Sequence, residues 1–430
     1  MIASGTQPTD DNRTTLDGLF RRAGVRHAGA LALVDPPNRE SFIGGSPRRL
    51  TYAQADRAIS AFAAKLRDLG LTTDAVVAMQ LPNTVESVIA LLGVLRAGMV
   101  AAPVPQLWRK LEMVEALSRA GVKAIVTSAG TGSEIAMQVA AELFPIRAIA
   151  GFGRDLPDGV VPLDDVFASN ASGFRPATRP GDPAARSAVV TFDITGDGIV
   201  PIARSHSELI ADGCAVFHEA GIAHDTTTVS TIPLGSLAGI ALAMVPWLLG
   251  GGTLALHLGF SPAAFAEQCS AHDATTTVLP GPILETLAGA GLLGAPIKTI
   301  LALWRTPEQL AIAATWQGPA TIVDVSSFDE GKLVSARRGS DGRPVVHDEA
   351  ASPHAAGLVS VGGYRFIQDK IDNAVAAIDP AAIIAALPHA LLGQRLAGQA
   401  GNPTAIAVAL QTGGANALIA EAFRPRQTSA

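Results

Sequence analysis

The sequence predicts an α/β protein built on mostly parallel sheets. Strand-like apolar runs alternate with segments of helical periodicity, at spacings that allow each helix to cross over between neighbouring strands. The chain has 430 residues, which is enough for two or three domains and a large buried core. Hydrophobic residues make up 48% and charged residues 16% of it, a balance typical of globular rather than disordered proteins.

The alternation begins after a polar tail, residues 1–14, which we expect to be disordered. Thr51 and Gln54 have capping-box spacing, and apolar residues then recur at helical intervals until Gly70. Further strands are predicted at 76–81, 99–104, 124–127 and 146–149, with helices at 83–96, 109–119 and 133–143. These elements predict an N-terminal α/β subdomain over residues 15–171.

A stretch rich in Pro, Gly and Ala, residues 172–186, predicts a linker to a second α/β subdomain at 187–335. In that subdomain strands are predicted at 229–234, 253–258 and 275–279, and helices at 237–249 and 261–271. Residues 237–249 are too short to span a bilayer, so we expect a buried helix there and no membrane span. The polar start of the chain predicts no secretory signal and a cytoplasmic protein.

The stretch between residues 188 and 206 carries the main functional signal. A short apolar run leads into a loop with Thr195 and Gly196, and Ser205 with Glu208 predicts that a helix starts at His206. A strand, a glycine-containing loop and a helix start, in that order, are what a phosphate-cradling turn requires. The loop contains no Lys, and Arg204 is its only strong cation.

This stretch resembles the phosphate loop of the adenylate-forming (AMP-binding, acyl-CoA synthetase) superfamily, whose usual form is Thr-Ser-Gly-Ser/Thr-Thr-Gly-x-Pro-Lys-Gly-Val followed by Ser-His. Thr191, Thr195, Gly196, Ser205 and His206 fall on this pattern. Other matches follow in the expected order: Leu50-Thr51-Tyr52, Leu81-Pro82-Asn83, Ile232-Pro233-Leu234 and Thr277-Val278-Leu279-Pro280. The resemblance implies a large N-terminal region of two parallel-rich α/β subdomains and a reduced, small C-terminal α+β region over residues 336–430.

The resemblance also implies the site. Thr191, Thr195 and Gly196 would contact nucleotide, and Ile199 stands about where the family carries its Lys. In residues 321–331, Glu330 matches the Glu that holds Mg²⁺ in relatives. Ser326 and Asp329, which replace the adenine-stacking Tyr and the Thr of the family, are also expected to contact nucleotide. The expected substrate-pocket residues are Gly235, Ser236, Ala302, Leu303 and Trp304. The small pocket residues would suit a bulky or long acid.

Three of these assignments stay open at this point. Neighbouring carboxylates at Asp329 and Glu330 could hold a hard cation such as Mg²⁺, or could form a plain exposed turn. Arg204 could reach phosphates or cap the surface beside the helix start. His206 could bond a phosphate or an acyl carboxylate, or be satisfied by its neighbouring turn.

The cofactors implied are ATP or AMP, Mg²⁺ and CoA, but their binding is in question because lysines are missing. There is none between Lys123 and Lys298, and none after Lys370. The loop Lys and the C-terminal Lys of the family are therefore absent. The family's ribose-binding Asp and adenine-stacking Tyr are also missing from their expected places. Since losing one preorganised donor lowers a rate by roughly 100-fold to 1000-fold, we expect weak or no adenylation.

Three functions remain open. The chain could be a truncated homologue that binds a carboxylic acid, an acyl group or a nucleotide-like ligand. It could be an active acid–CoA ligase or acyl transferase with a site rebuilt from Glu330, Arg204 and His206, or with groups supplied by a second subunit in a homodimer. It could also be a non-catalytic structural or regulatory partner. The net charge of −6 and the scattered basic residues argue against nucleic acid as a partner.

Overall fold

Three sheets organise the chain in a computed structural model, which describes residues 15–169, 174, 180–346 and 357–426. The expected disordered tail, residues 1–14, and residues 172, 173 and 175–179 of the expected linker lie outside the described residues. The strands up to the centre of the chain are β1 (Leu31–Val34), β2 (Arg49–Thr51), β3 (Val76–Gln80), β4 (Val100–Pro103), β5 (Ala124–Ser128), β6 (Ala148–Phe152), β7 (Val160–Pro162), β8 (Ser187–Thr195) and β9 (Gly198–Ser205).

The later strands are β10 (Thr227–Ser230), β11 (Thr253–Leu256), β12 (Thr276–Pro280), β13 (Thr299–Trp304), β14 (Thr321–Ser326), β15 (Val334–Arg337), β16 (Leu358–Val361), β17 (Tyr364–Ile367), β18 (Ile383–His389), β19 (Gly393–Ala400) and β20 (Phe423–Pro425). The helices are α1 (Leu16–Arg26), α2 (Glu40–Ile43), α3 (Tyr52–Asp68), α4 (Val85–Arg96), α5 (Lys110–Arg119), α6 (Thr131–Glu142), α7 (His206–Ala220), α8 (Leu237–Gly239), α9 (Val245–Gly250), α10 (Pro262–Ala271), α11 (Leu284–Gly289), α12 (Pro307–Ala311), α13 (Gln368–Ile378), α14 (Pro403–Thr412) and α15 (Ala417–Ala420). A π-helical turn, Ile240–Met244, joins α8 to α9, so the expected buried helix is continuous.

The two large sheets confirm the predicted fold class. The first has the strand order β7-β6-β5-β3-β4-β8-β9 and is parallel except for the β8–β9 pair. The second has the order β15-β14-β13-β12-β10-β11-β1-β2 and is antiparallel only at its two edges. Helical connections between parallel strands produce this arrangement, as the alternation in the sequence indicates.

The sheets exchange strands across the expected linker. β1 and β2 come from the N-terminal part of the chain but lie in the second sheet. β8 and β9 follow the linker but complete the first sheet. Each sheet therefore needs strands from both sides of residues 172–186, and the subdomain boundaries drawn from the sequence stay a prediction.

One apolar cluster joins the two large sheets. It contains residues from both sheets and from α1, α3, α4, α7 and α9, which places these helices between the sheets. Every residue of α4 is buried, which explains why that segment is apolar almost without interruption. Two further clusters cover the outer faces, with α5 and α6 on the first sheet and α10, α11 and α12 on the second.

The phosphate-loop stretch differs from its prediction in one element. Both predicted capping boxes are present, at Thr51 with Gln54 and at Ser205 with Glu208, and α7 begins at His206 as expected. The predicted loop, however, is a β-hairpin, because residues 198–205 form β9 and pair along β8. Gly198, at φ +106°, permits the tight two-residue turn that connects the strands.

The C-terminal region is a small α+β unit, as the resemblance implies. β16, β17, β18 and β19 form an antiparallel sheet to which β20 adds in parallel. Helices α13, α14 and α15 pack on it around a separate apolar cluster. Among the described helices, none is both long and apolar enough to cross a membrane.

Candidate functional site

The β8–β9 hairpin holds the residues expected to contact nucleotide. Thr191 is fully buried within the first sheet, opposite Ile202. The Thr195 hydroxyl accepts a hydrogen bond from the Asp197 backbone N–H (3.2 Å), and Gly196 is exposed in the turn. Of these three residues, Gly196 and Thr195 lie at the tip of the hairpin, whereas Thr191 contributes to its buried base.

Ile199, which stands where the family carries Lys, belongs to the core. It is 4% exposed and lies in the same apolar cluster as Trp108 and Phe192. Its backbone N–H donates to Glu115 Oε1 (3.1 Å), and its carbonyl accepts from the Arg119 guanidinium (2.9 Å). Helix α5 therefore holds this side of the hairpin through hydrogen bonds. The Ile199 side chain offers no polar group to a ligand.

Arg204 lies buried and bridges to a distant turn. Its guanidinium donates to the backbone carbonyls of Glu330 and Gly331, the latter at 3.0 Å. Its hydrogen bonds go to a segment more than 120 residues further along the chain, and its guanidinium also lies 4.0 Å from the Asp212 carboxylate of α7. The N–H groups of the Arg204 guanidinium thereby stabilise the turn that carries Glu330.

His206 contacts the start of the first helix. Its Nδ1 accepts a hydrogen bond from the Leu16 backbone N–H (3.3 Å), and the residue is 8% exposed. Burial lowers the pKa of its imidazole to about 4, and the nearby Arg186 charge acts in the same direction. His206 is consequently neutral at pH 7, and its partner is α1 rather than its neighbouring turn.

Glu330 is buried, so the exposed-turn interpretation is wrong for it. Its Oε2 accepts from the Leu237 backbone N–H (2.7 Å) and its Oε1 from the Arg305 guanidinium (3.3 Å). Burial raises the pKa of the Glu330 carboxyl, while Arg305 and the Leu237 amide oppose that rise. Asp329 instead turns back on its own segment and accepts from the Gly331 N–H (2.8 Å) and the Lys332 N–H (3.1 Å).

Two expected pocket residues, Gly235 and Ser236, lie beside this carboxylate. The Ser236 hydroxyl accepts from Arg305 (2.9 Å), so Arg305 links Ser236 to Glu330. A β-carbon added at Gly235 would stand 3.2 Å from the Val104 carbonyl oxygen, which leaves little free space there.

The other expected pocket residues end strand β13. Ala302, Leu303 and Trp304 are all buried, and Trp304 lies opposite Ser326 in the parallel register of β13 and β14. The Trp304 indole N–H donates to Asp324 Oδ1 (2.8 Å). An indole therefore stands next to the position where the family carries its adenine-stacking Tyr.

The C-terminal unit closes over this region through the β16–β17 hairpin. Arg365 forms an ion pair with Asp193 of β8 (3.3 Å) and also donates to the Phe328 carbonyl. A β-carbon added at Gly363, in the turn of this hairpin, would stand 2.6 Å from the Arg305 side chain. Burial raises the pKa of the Asp193 carboxyl, against the opposing charge of Arg365.

We call Asp193, Arg204, Arg305, Glu330 and Arg365 the arginine–carboxylate cluster. The sequence analysis identified Arg204 and Glu330 but missed the other three. The signals in the sequence were Arg305 directly after Trp304 and Arg365 directly after Gly362-Gly363-Tyr364. Lys370, the last lysine of the chain, pairs with Glu115 (2.9 Å) outside the cluster.

A recess of about 670 Å³ lies near Trp304, against helices α11 and α12. Of the expected pocket residues, Trp304 alone lines it. Its other walls come from α11, from residues 312–319 and, through Ala390, from the C-terminal unit. Within the described residues, no group of three or more His, Cys, Asp or Glu side chains is arranged to hold a metal ion.

Comparison with known proteins agrees with the fold. A family model described as AMP-binding enzyme matches residues 20–172. The apo structure of MbtA from Mycobacterium smegmatis is similar with a TM-score of 0.64 at 19% identity, over 96% of this chain and 91% of that one.

Curated relatives include the medium/long-chain-fatty-acid–CoA ligase FadD6 of Mycobacterium tuberculosis, 27% identical over 64% of this chain and 45% of the relative. The salicyl-AMP ligase/salicyl-S-ArCP synthetase of the same species is 27% identical over 62% of this chain and 46% of the relative. The matched part of the chain thus spans less than half the length of these two proteins.

In residues 20–172, in the parts matched by these relatives and in its fold, the chain is similar to AMP-binding enzymes of the adenylate-forming superfamily.

Proposed function

We propose that this protein binds an acyl or aryl ligand and has weak or no adenylation activity. The reason is that the residues which would contact ATP are engaged in ion pairs and hydrogen bonds within the protein. The observation that carries the proposal is the state of Glu330. Both of its carboxylate oxygens accept hydrogen bonds from the protein itself, one from Leu237 and one from Arg305. A Mg²⁺ ion would have to bind this carboxylate beside the Arg305 cation, which already compensates its charge at 3.3 Å.

The cations around Glu330 support the same proposal. Arg204 is committed to two backbone carbonyls, Arg305 to Glu330 and Ser236, and Arg365 to Asp193 and the Phe328 carbonyl. Phosphoryl transfer depends on cations that are preorganised around the phosphate oxygens. To bind phosphate oxygens, each of these guanidinium groups would first have to break its hydrogen bonds to the protein.

ATP with Mg²⁺ therefore does not fit the residues present, and we derive no reaction step through ATP, Mg²⁺ or CoA. The position of the family's loop Lys is occupied by the buried Ile199. Ser326 stands in the place of the family's adenine-stacking Tyr and offers no ring, and the neighbouring Trp304 indole is bonded to Asp324.

The experiment that tests the proposal measures acid-dependent release of pyrophosphate from ATP in the presence of Mg²⁺ and CoA. A panel of fatty and aromatic acids is supplied, and a known acid–CoA ligase serves as the positive control. We expect release at the rate of the protein-free reaction with every acid. Release that depends on one acid, together with formation of its CoA thioester, would instead establish an active ligase with a rebuilt site.

A further inference from the structure

The recess beside Trp304 has the size of a small-molecule site. Its volume of about 670 Å³ falls within the range of about 300–1,000 Å³ that is usual for ligand pockets. Buried aliphatic side chains from α11 and its following turn, Leu284 and Leu293, form part of its wall. Ile312, which also lines it, is 82% exposed, so an apolar surface extends to the rim.

Two tryptophans, Trp304 and Trp316, line the recess. The N–H of Trp304 is bonded to Asp324 (2.8 Å) and the N–H of Trp316 to the Ala320 carbonyl (2.7 Å). The single donor of each ring is thereby used within the protein. What remains for a ligand is ring surface, which favours flat apolar groups.

Glycines allow the backbone of the recess wall to pack closely against both rings. A β-carbon added at Gly281 would come within 2.3 Å of the Trp304 ring, and one added at Gly318 within 2.3 Å of the Trp316 ring. Both glycines line the recess together with their tryptophans. Because neither glycine has a side chain, each indole can pack against the backbone that forms the wall of the recess.

The charges of the recess disfavour anions. Its charged lining residues are Arg338 and Glu285. The Arg338 guanidinium is held by both oxygens of Asp324 (2.9 Å each) and by the carbonyls of Ala314 and Gly342. Its charge is therefore neutralised, and the exposed Glu285 adds a negative charge at the rim.

We infer that this recess binds an uncharged, flat, apolar molecule, such as an aromatic compound or a neutral acyl derivative, in preference to a nucleotide, CoA or a free carboxylate. The inference rests on the proposed function only in assigning the protein an acyl or aryl ligand. The inference adds that the bound ligand is uncharged. Because it concerns binding without ATP, its failure and that of the proposed function are separate results.

A matched pair of fluorescent probes tests the charge preference. N-phenyl-1-naphthylamine is neutral and apolar, and 8-anilino-1-naphthalenesulfonate is the same aromatic framework with a sulfonate. We expect the neutral probe to bind at least about tenfold more tightly to the full chain, a difference of about 1.4 kcal/mol. Equal binding of the two probes, or no binding of the neutral probe, would overturn the inference.

Three variants test the location. Ala288→Phe fills the recess from α11, whereas Ala290→Phe places the same side chain on a nearby exposed residue outside the recess. Gly294→Leu provides a second filling variant, since an added β-carbon there meets no atom within 4 Å. We expect both filling variants to weaken binding of the neutral probe at least about tenfold and Ala290→Phe to leave it unchanged within about twofold. Unchanged binding by either folded filling variant would contradict this site.

Discussion

The end of strand β13 separates two regions of opposite character. Next to Arg305, charged groups are crowded together and each has a protein partner. Next to Trp304, the walls are apolar and leave a recess of about 670 Å³. Buried charges must be paired, because an unpaired one costs several kcal/mol. An apolar wall without a partner can stay open at a smaller cost, so free space persists on that side.

The strongest test of this contrast reintroduces a lysine on the charged side. Ile199→Lys restores the residue type of the family's loop, but the new ammonium group would lie in an apolar cluster. We expect the free energy of unfolding to fall by about 4 kcal/mol, without any gain of adenylation. Urea unfolding measures the loss, and Ala203→Lys, at an exposed position of β9, should change stability by less than about 0.5 kcal/mol. Acid-dependent pyrophosphate release by Ile199→Lys would contradict the account.

Removing one partner of the arginine–carboxylate cluster should have the next largest effect. Arg305→Ala leaves the buried Glu330 carboxylate with the Leu237 amide as its remaining bonded donor among the described residues. We expect a loss of about 3 kcal/mol in urea unfolding.

The matched control for this change replaces both partners. Arg305→Met combined with Glu330→Gln removes the two charges together, and we expect most of the lost stability to return. If the double variant were as unstable as Arg305→Ala, the pairing would not be the source of the effect.

His206 extends the comparison to the helix start of the phosphate-loop stretch. Its folded-state pKa of about 4 lies below the ordinary value of 6.5, so the unfolded chain takes up a proton first as the pH falls. Stability should therefore decline by about 2.5 kcal/mol through this group between pH 7 and pH 4.5, and be fully present above about pH 7.

His206→Asn isolates this effect from the titration of carboxylates. The Asn side chain places an oxygen near the former Nδ1 position, where it can accept from Leu16, but it does not titrate. Thermal unfolding of both proteins across this pH range should show a difference that depends on pH. Parallel curves would mean that His206 is protonated in the folded state.

The smallest expected effect concerns the recess wall. Gly281→Ala pushes a β-carbon into the Trp304 ring, and we expect a loss of about 1.5 kcal/mol with a shift in tryptophan fluorescence. Gly294→Ala, where the added carbon meets nothing, should leave both stability and emission essentially unchanged. Equal behaviour of the two variants would indicate that the indole does not rest against Gly281.

Local patterns predicted most of the elements. The capping boxes before α3 and α7 are formed within four residues, so the sequence contains all of their partners. The alternation of strands and helices likewise predicted the parallel sheets. The β8–β9 hairpin was missed because Pro201 and Arg204 interrupt the apolar alternation of β9, and pairing with β8 overrides that weak local signal.

The sequence predicted where the site lies but not which residues contact one another there. The family resemblance led to Arg204 and Glu330, which the structure joins at the Glu330–Gly331 turn. Their other partners come from distant elements: Arg305 follows β13, and Arg365 reaches Asp193 across 172 residues. Two adjacent acidic residues such as Asp329 and Glu330 indicate solvent exposure unless such partners are known, and the sequence does not show them.

The central claim is that protein groups already satisfy the residues which would bind ATP. Calorimetric titration of ATP and AMP into the full chain, with Mg²⁺ present, tests it most directly. We predict no heat of binding at nucleotide concentrations up to about 1 mM, which corresponds to a binding free energy weaker than about −4 kcal/mol. Saturable micromolar binding of either nucleotide would contradict the account, because it would require Glu330 and its arginines to exchange their partners for phosphate and metal.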